Sequence, residues 1–161
     1  MDNENLIQHF YESFARNDAD GMVSCYHDEI EFSDPAFGLL KGADAKNMWK
    51  MLVERAKGNI KIEFKNVSAD GQKGAADWTA DYLFSKTGRQ VFNKIHAIFE
   101  FKDGKIFRHN DTFDIWKWSK QALGISGFLL GWSSFLQNKI RQSAKESLRE
   151  YSEKQSNAEK S

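Results

Sequence analysis

Leu6, Ile7, Phe10 and Phe14 recur at helical spacing behind the candidate caps Asp2 and Asn3, which predicts an amphipathic first helix ending near Asn17. A short second helix is predicted from Asp18, carrying Met22, Cys25 and Tyr26. Ile30 and Phe32 then alternate with Glu29, Glu31 and Ser33, a brief strand that runs into Asp34-Pro35. Gly42 and Asp44 open a third helix, whose stripe of Met48, Trp49, Leu52, Val53 and Ala56 stops at Gly58.

Beyond Gly58 the hydrophobic period changes from 3.6 to 2. Four strand-like runs follow, at 59–69, 75–85, 90–102 and 105–118, separated by the turn signals Asp70-Gly71, Thr87-Gly88 and Asp103-Gly104. Successive hairpins of such long strands predict a strongly twisted antiparallel meander. Helices first and a meander after them describe an α+β domain, a curled antiparallel sheet with three helices on its concave face. From Ser134 the pattern is helical again. Ser134 and Gln137 have capping-box spacing, and Leu136, Ile140, Ala144, Leu148 and Tyr151 form one stripe, with a frayed end expected from about Glu153. The organisation is therefore a domain over 1–118 and a helical extension over 119–161, packed on that domain or on a partner subunit.

The chain has 161 residues, enough for one core without staples. Lys and Arg total 23, Asp and Glu total 23, and this balance argues against a general nucleic-acid or anionic-membrane binder. The longest apolar stretch, Ala122 to Trp132, holds three glycines and is too short to span a bilayer. A lone cysteine and an N-terminal stretch without signal-peptide character make the cytoplasm the expected compartment. With 13 Phe, 5 Trp and 4 Tyr against a single proline, long elements around an aromatic interior are expected.

Strand alternation places Trp78, Ala80, Tyr82 and Phe84 on the concave face of the second run, and Asn93, Ile95, Ala97, Phe99 and Phe101 on that of the third. In the fourth, the face with fewer polar groups carries Phe107, His109, Asp111, Phe113 and Ile115, although a β-bulge would reverse the assignment part-way. A buried carboxylate needs a partner or a task, so Asp111 is either half of a structural pair with His109 or part of a site. His9 and His27 fall on helical segments and His96 on the opposite face, so no metal is expected. Cys25 has no visible base and reads as a small hydrophobe.

Three residue groups in order resemble the nuclear transport factor 2-like superfamily, in its SnoaL-like and ketosteroid isomerase-like branch. They are Phe10-Tyr11-x-x-Phe14-x-x-x-Asp18-x-x-Gly21-Met22, then Tyr26-x-Asp28-x-Ile30-x-Phe32-x-Asp34-Pro35 with Gly38 and Gly42, and the hairpin Phe99-x-Phe101-x-Asp103-Gly104-Lys105-Ile106. The resemblance places Asp34 where the isomerases keep their general base, although an Asp before Pro is also an ordinary turn-former. The isomerase tyrosine position falls on Phe10 and its protonated aspartate on Ala97, so a standard steroid isomerase mechanism is not expected. SnoaL-like cyclases resemble instead an inward His and Asp, for which His109 and Asp111 are the candidates. The Asp–Arg–Asp group of the epoxide hydrolases lacks an inward arginine, because Arg89 and Arg108 fall at a turn and on the outer face.

The expectation is a cofactor-independent site for a small hydrophobic molecule, with Asp34 as base, His109 as acid or oxyanion donor and Asp111 tuning the imidazole. Asn93 and Tyr82 would orient a carbonyl, and Trp78, Trp49, Phe10 and Phe113 would form the wall. The alternative is a non-catalytic binding or dimeric interaction domain, using an outer face with Trp116, Trp118 and Ile98 and the amphipathic tail. A homodimer is expected on either reading.

Overall fold

The computed structural model describes residues 1–160; Ser161, the last residue of the expected tail, lies outside the described residues. Helices α1 (Asn3–Ala15) and α2 (Ala19–Ser24) precede strands β1 (Tyr26–Asp34) and β2 (Gly38–Lys41), and helix α3 (Ala43–Ala56) follows them. The strands β3 (Ile60–Ala69), β4 (Lys73–Phe84), β5 (Arg89–Lys102) and β6 (Lys105–Thr112) follow, then helices α4 (Ile115–Leu123), α5 (Ile125–Leu130) and α6 (Ser134–Ala158). One sheet, ordered β2-β1-β6-β5-β4-β3, curls around α1 and α3, giving an α+β fold with a cone-like interior.

Local chemistry explains the helix boundaries. The Asp2 carboxylate accepts from Asn5 N and caps α1, and Asp18 accepts from Gly21 N and caps α2. The inward rings of α1 and α3 are fully or almost fully buried, Tyr11 against Phe99 of β5, Phe14 and Trp49 against Trp78 of β4, and Phe10 against Trp49. Such ring pairs add directional contact to the burial of large apolar area.

Several expectations change. Tyr26 begins β1 instead of closing the second helix, and its ring turns into the core. The sheet is mixed, because β1 pairs parallel with β6 while β3 to β6 form the antiparallel meander. The fourth run stops at Thr112. The apparent alternation of Phe113, Ile115 and the two tryptophans continues instead into α4, which Asp114 caps by accepting from Lys117 N. Trp118 therefore leaves the proposed outer face: it is buried on Val91 and Phe84 and donates from its indole nitrogen to Tyr82 Oη at 2.9 Å. The last helix is capped by Ser133, one residue before the expected position, and is regular through Ala158.

The tail packs on its own chain. Leu148 is buried in the main core, α6 lies against α3, and Arg141 Nε donates to Pro35 O at 3.1 Å. Between α4 and α5 the backbone turns at Gly124, with φ +65°, and Gly127 then packs directly on α4. A Cβ at position 127 would lie 1.9 Å from the Ser119 carbonyl oxygen. Gly127→Ala is expected to destabilise the fold by about 1–3 kcal/mol, read as a lower urea midpoint, because neither backbone can give way without repacking the helix pair.

Candidate functional site

The inward parity of β6 places His109 and Asp111 on the concave face, both buried. A bulge opposite Glu100 and Phe101 reverses that parity toward the start of the strand. Phe107 consequently points outward, against His27, and Ile106 takes the buried position.

The polar groups in this interior form one connected chain. Trp49 Nε1 lies 2.7 Å from Tyr26 Oη, which lies 2.7 Å from His109 Nδ1. His109 Nε2 lies 2.9 Å from Asp111 Oδ1, which also accepts from Trp78 Nε1 at 3.2 Å. The donor inventory assigns the protons. An indole nitrogen can only donate, so Tyr26 Oη accepts from Trp49. Burial pushes the Tyr26 phenol well above its ordinary value, so its O–H remains and donates to His109 Nδ1. The imidazole is then neutral, with its proton on Nε2, and donates to the Asp111 carboxylate. An imidazolium would leave the Tyr26 hydrogen without an acceptor in a dry interior.

Next to this chain is a cavity of about 560 Å³, bounded by α3, β4, β5, α4 and α6. Its wall is mostly apolar, with Trp49, Trp78 and Phe113 among the rings, and its polar groups include Asp34, Asp111, Tyr82 and Asn93. His109 and Phe10 do not reach it. His109 sits behind Asp111 with both ring nitrogens engaged, and Phe10 lies in the layer beneath, stacked on Tyr26 at 5.4 Å. Asp111 Oδ1 takes both donated bonds, so Oδ2 is the oxygen left to the cavity.

Asp34 ends β1, and Oδ1 accepts from Ala36 N at 2.9 Å and Phe37 N at 2.5 Å, so it is a turn-former as well as a wall residue. Desolvation by the surrounding protein pushes its carboxyl up to about 7, assisted by the negative charge of Asp111. The two amide bonds and the charge of Arg141 act in the opposite direction. Tyr82 Oη accepts from Trp118 Nε1, which leaves its own O–H free to donate, and burial raises that phenol too. The arrangement therefore offers a near-neutral carboxyl, a second carboxylate and a phenol donor around one apolar space.

Sequence reasoning did not assign Tyr26 and Trp118 to this network, and it left the tail out of the cavity wall. Leu136, Lys139 and Ile140 line the cavity from α6, and Arg141, held by Pro35 O and Asn138 Oδ1, supplies a positive charge that draws the Asp34 carboxyl down. Arg108 faces outward in pairs with Glu31 and Glu100, and Arg89 binds Gln121 O. Cys25 is buried with Sγ against Gly21 O, and desolvation raises its thiol to about 11, which suits a hydrophobe and not a nucleophile. Among the described residues no three metal-ligating side chains converge.

Residues 7–109 match the SnoaL-like domain family. No protein with a curated description matches the chain in sequence. Among solved structures, a protein of Xanthomonas campestris pv. campestris with the provisional name polyketide cyclase is 19% identical, with 73% of this chain and 93% of that one covered and a TM-score of 0.59. An epoxide hydrolase of the LEH-like type from M. tuberculosis is 21% identical, with 78% and 93% covered and a TM-score of 0.57. TerC, co-crystallised with polyporic acid, is 20% identical, with 68% and 89% covered and a TM-score of 0.57. At these identities the likeness is one of fold.

Proposed function

The chain belongs to the SnoaL-like domain family, and from that premise we propose that its cavity takes up a small, largely apolar molecule and that Asp34 moves a proton on it. The observation that carries the reading is a carboxyl brought near neutrality at the wall of an apolar cavity, with the Tyr82 phenol on the same wall. A base titrating near the working pH combines a useful fraction of carboxylate with useful proton affinity. In the proposed step the Asp34 carboxylate removes a proton from a carbon beside a ketone carbonyl. The C–H electron pair becomes the enolate π bond, and the oxygen that gains charge accepts from Tyr82 O–H, with the Asn93 amide as a second donor. Asp34 then returns the proton to carbon, so no cofactor is consumed. Asp111 acts by charge, raising the Asp34 carboxyl, and His109 is a positioning residue that holds Asp111.

A second reading, uptake of the same kind of molecule without chemistry, is favoured by one observation: His109 and Asp111 are closed into hydrogen bonds, and Asp34 already serves a turn. A homodimer is proposed on either reading, through the outer sheet face where Leu83, Phe92 and Ile98 stand exposed.

The test incubates the protein with a panel of apolar cyclic ketones in D2O and follows loss of the α-proton signal by NMR. Exchange faster than buffer for at least one ketone is expected, and it should collapse in Ala80→Phe, which fills the cavity from β4. Binding of a ketone without exchange would leave the second reading standing. Neither binding nor exchange would overturn both.

A further inference from the structure

Helix α5 is built inside out. Of its residues Ile125 to Leu130, only Gly127 is buried, and the bulky side chains face solvent. Ile125, Phe128, Leu129, Leu130, Trp132 and Phe135 are between 47% and 79% exposed, and Trp116 adjoins them by donating to Phe128 O. Trp132 likewise donates to Leu129 O, so both indole N–H groups are satisfied within the patch and the rings offer only apolar surface. A contiguous knuckle of this kind, unlike scattered single apolar residues, marks a contact surface.

Charge identifies the occupant. Residues 115–145 contain Lys117, Lys120, Lys139, Arg141 and Lys145 and no Asp or Glu, although the whole chain is neutral. Among the described residues none of the five is ion-paired with an acidic side chain. Arg141 turns toward Pro35. Lys120 and Lys139 stand at the edge of the patch itself, 4.3 Å over the Trp116 ring and 5.0 Å over the Phe135 ring. Balanced charge elsewhere does not cancel this, because exposed charges act over only about one Debye length, ~8–10 Å. A second copy meeting the same patch would bring lysine rims together, whereas an anionic surface would neutralise them.

We propose that the α4–α5–α6 knuckle docks on the surface of an anionic lipid bilayer, with its tryptophan, phenylalanine and leucine side chains at the headgroup boundary and its lysines on lipid phosphates. Aromatic and aliphatic anchors rimmed by Lys are the composition that lies in a membrane interface. Among the described residues no helix is long and apolar enough to cross a membrane, which agrees with surface docking. Leu136 and Lys139 also border the cavity, so docking brings its rim to the bilayer. That consequence rests on the cavity reading, whereas the docking does not.

The test is flotation of the full chain with phosphatidylcholine vesicles, with and without about one third phosphatidylglycerol. Co-flotation with the anionic vesicles alone is expected, weakened roughly tenfold in Trp132→Ser/Phe135→Ser and made less salt-sensitive in Lys120→Gln/Lys139→Gln. Phe128→Ser/Leu129→Ser is the second apolar variant, and thermal unfolding followed by circular dichroism verifies that each variant folds. No flotation of the wild type, or equal flotation of both folded apolar variants, overturns the proposal. A dimer in sedimentation velocity that dissolves in those variants, without flotation, overturns it in favour of self-association.

Discussion

Asp34→Asn is expected to lower α-proton exchange by a factor of about 10²–10⁴ and, at the same time, to stabilise the fold above pH 7. The two effects share one cause. The carboxyl is pushed from an ordinary value of 3.8 up to about 7, chiefly by loss of hydration at the cavity wall. A carboxyl whose folded value lies above its unfolded value disfavours folding once it ionises. Stability is therefore fully present below about pH 4, declines as pH rises from there, and reaches its reduced level above about pH 7. An amide escapes that penalty. Its oxygen can still accept from the Ala36 and Phe37 amides, so the turn survives. Part of the residue is solvent-accessible, so the gain in unfolding free energy at pH 8 is set at ~1–3 kcal/mol, below the full linkage value for about three pH units. At pH 4 the two proteins should unfold alike. Urea titrations at both pH values check the stability half. Exchange rates of the wild type, rising through about pH 7 to a plateau, check the other. A variant as active as the wild type would remove Asp34 from the chemistry. One that is less stable at pH 8 would show that the negative charge itself holds the turn. Loss of activity with gain of stability is the pattern expected where a functional group sits in an unfavourable environment.

The second large effect is expected in the interior. His109→Ala should destabilise the protein by ~3–5 kcal/mol, read from urea unfolding, without disturbing the helices or hairpins that local sequence specifies. The imidazole links Tyr26 to Asp111 in the hydrogen-bonded chain. Removing it strands the Tyr26 hydroxyl and takes the closer of two donors from a buried carboxylate, and it leaves a void among Phe10, Phe32 and Phe99, whose rings surround it. Asp111→Ala on the same background should cost much less than it does alone, because the unpaired charge has gone. Additive effects in this cycle would show that His109 and Asp111 are not coupled. The pairing is also what the role of acid, expected of His109 from its place on the inner face, would have to break. Both ring nitrogens are committed, and Asp111 stands between it and the cavity.

The amino-acid sequence by itself determined the features that local periodicity reports. The amphipathic stripes of α1 and α3, the three hairpins of β3 to β6 and the inward parity of Asn93, His109 and Asp111 all follow from which residues share a face, a property of neighbours two to four positions apart. The same reasoning failed at Phe113 to Trp118. Ile115, Trp118 and Ala122 fit a helical face as well as Phe113 and Ile115 fit a strand, and packing on Val91 and Tyr82 decided for the helix. Only the tertiary structure could decide the parallel pairing of β1 with β6, the entry of Arg141 into the field of Asp34 and the order of protons from Trp49 to Asp111. Each joins residues far apart in sequence, and none leaves a periodic trace. The position of α6 belongs with them: an amphipathic stripe states that a helix must cover something, whereas burial over the whole chain decides what it covers, here α3 and one wall of the cavity.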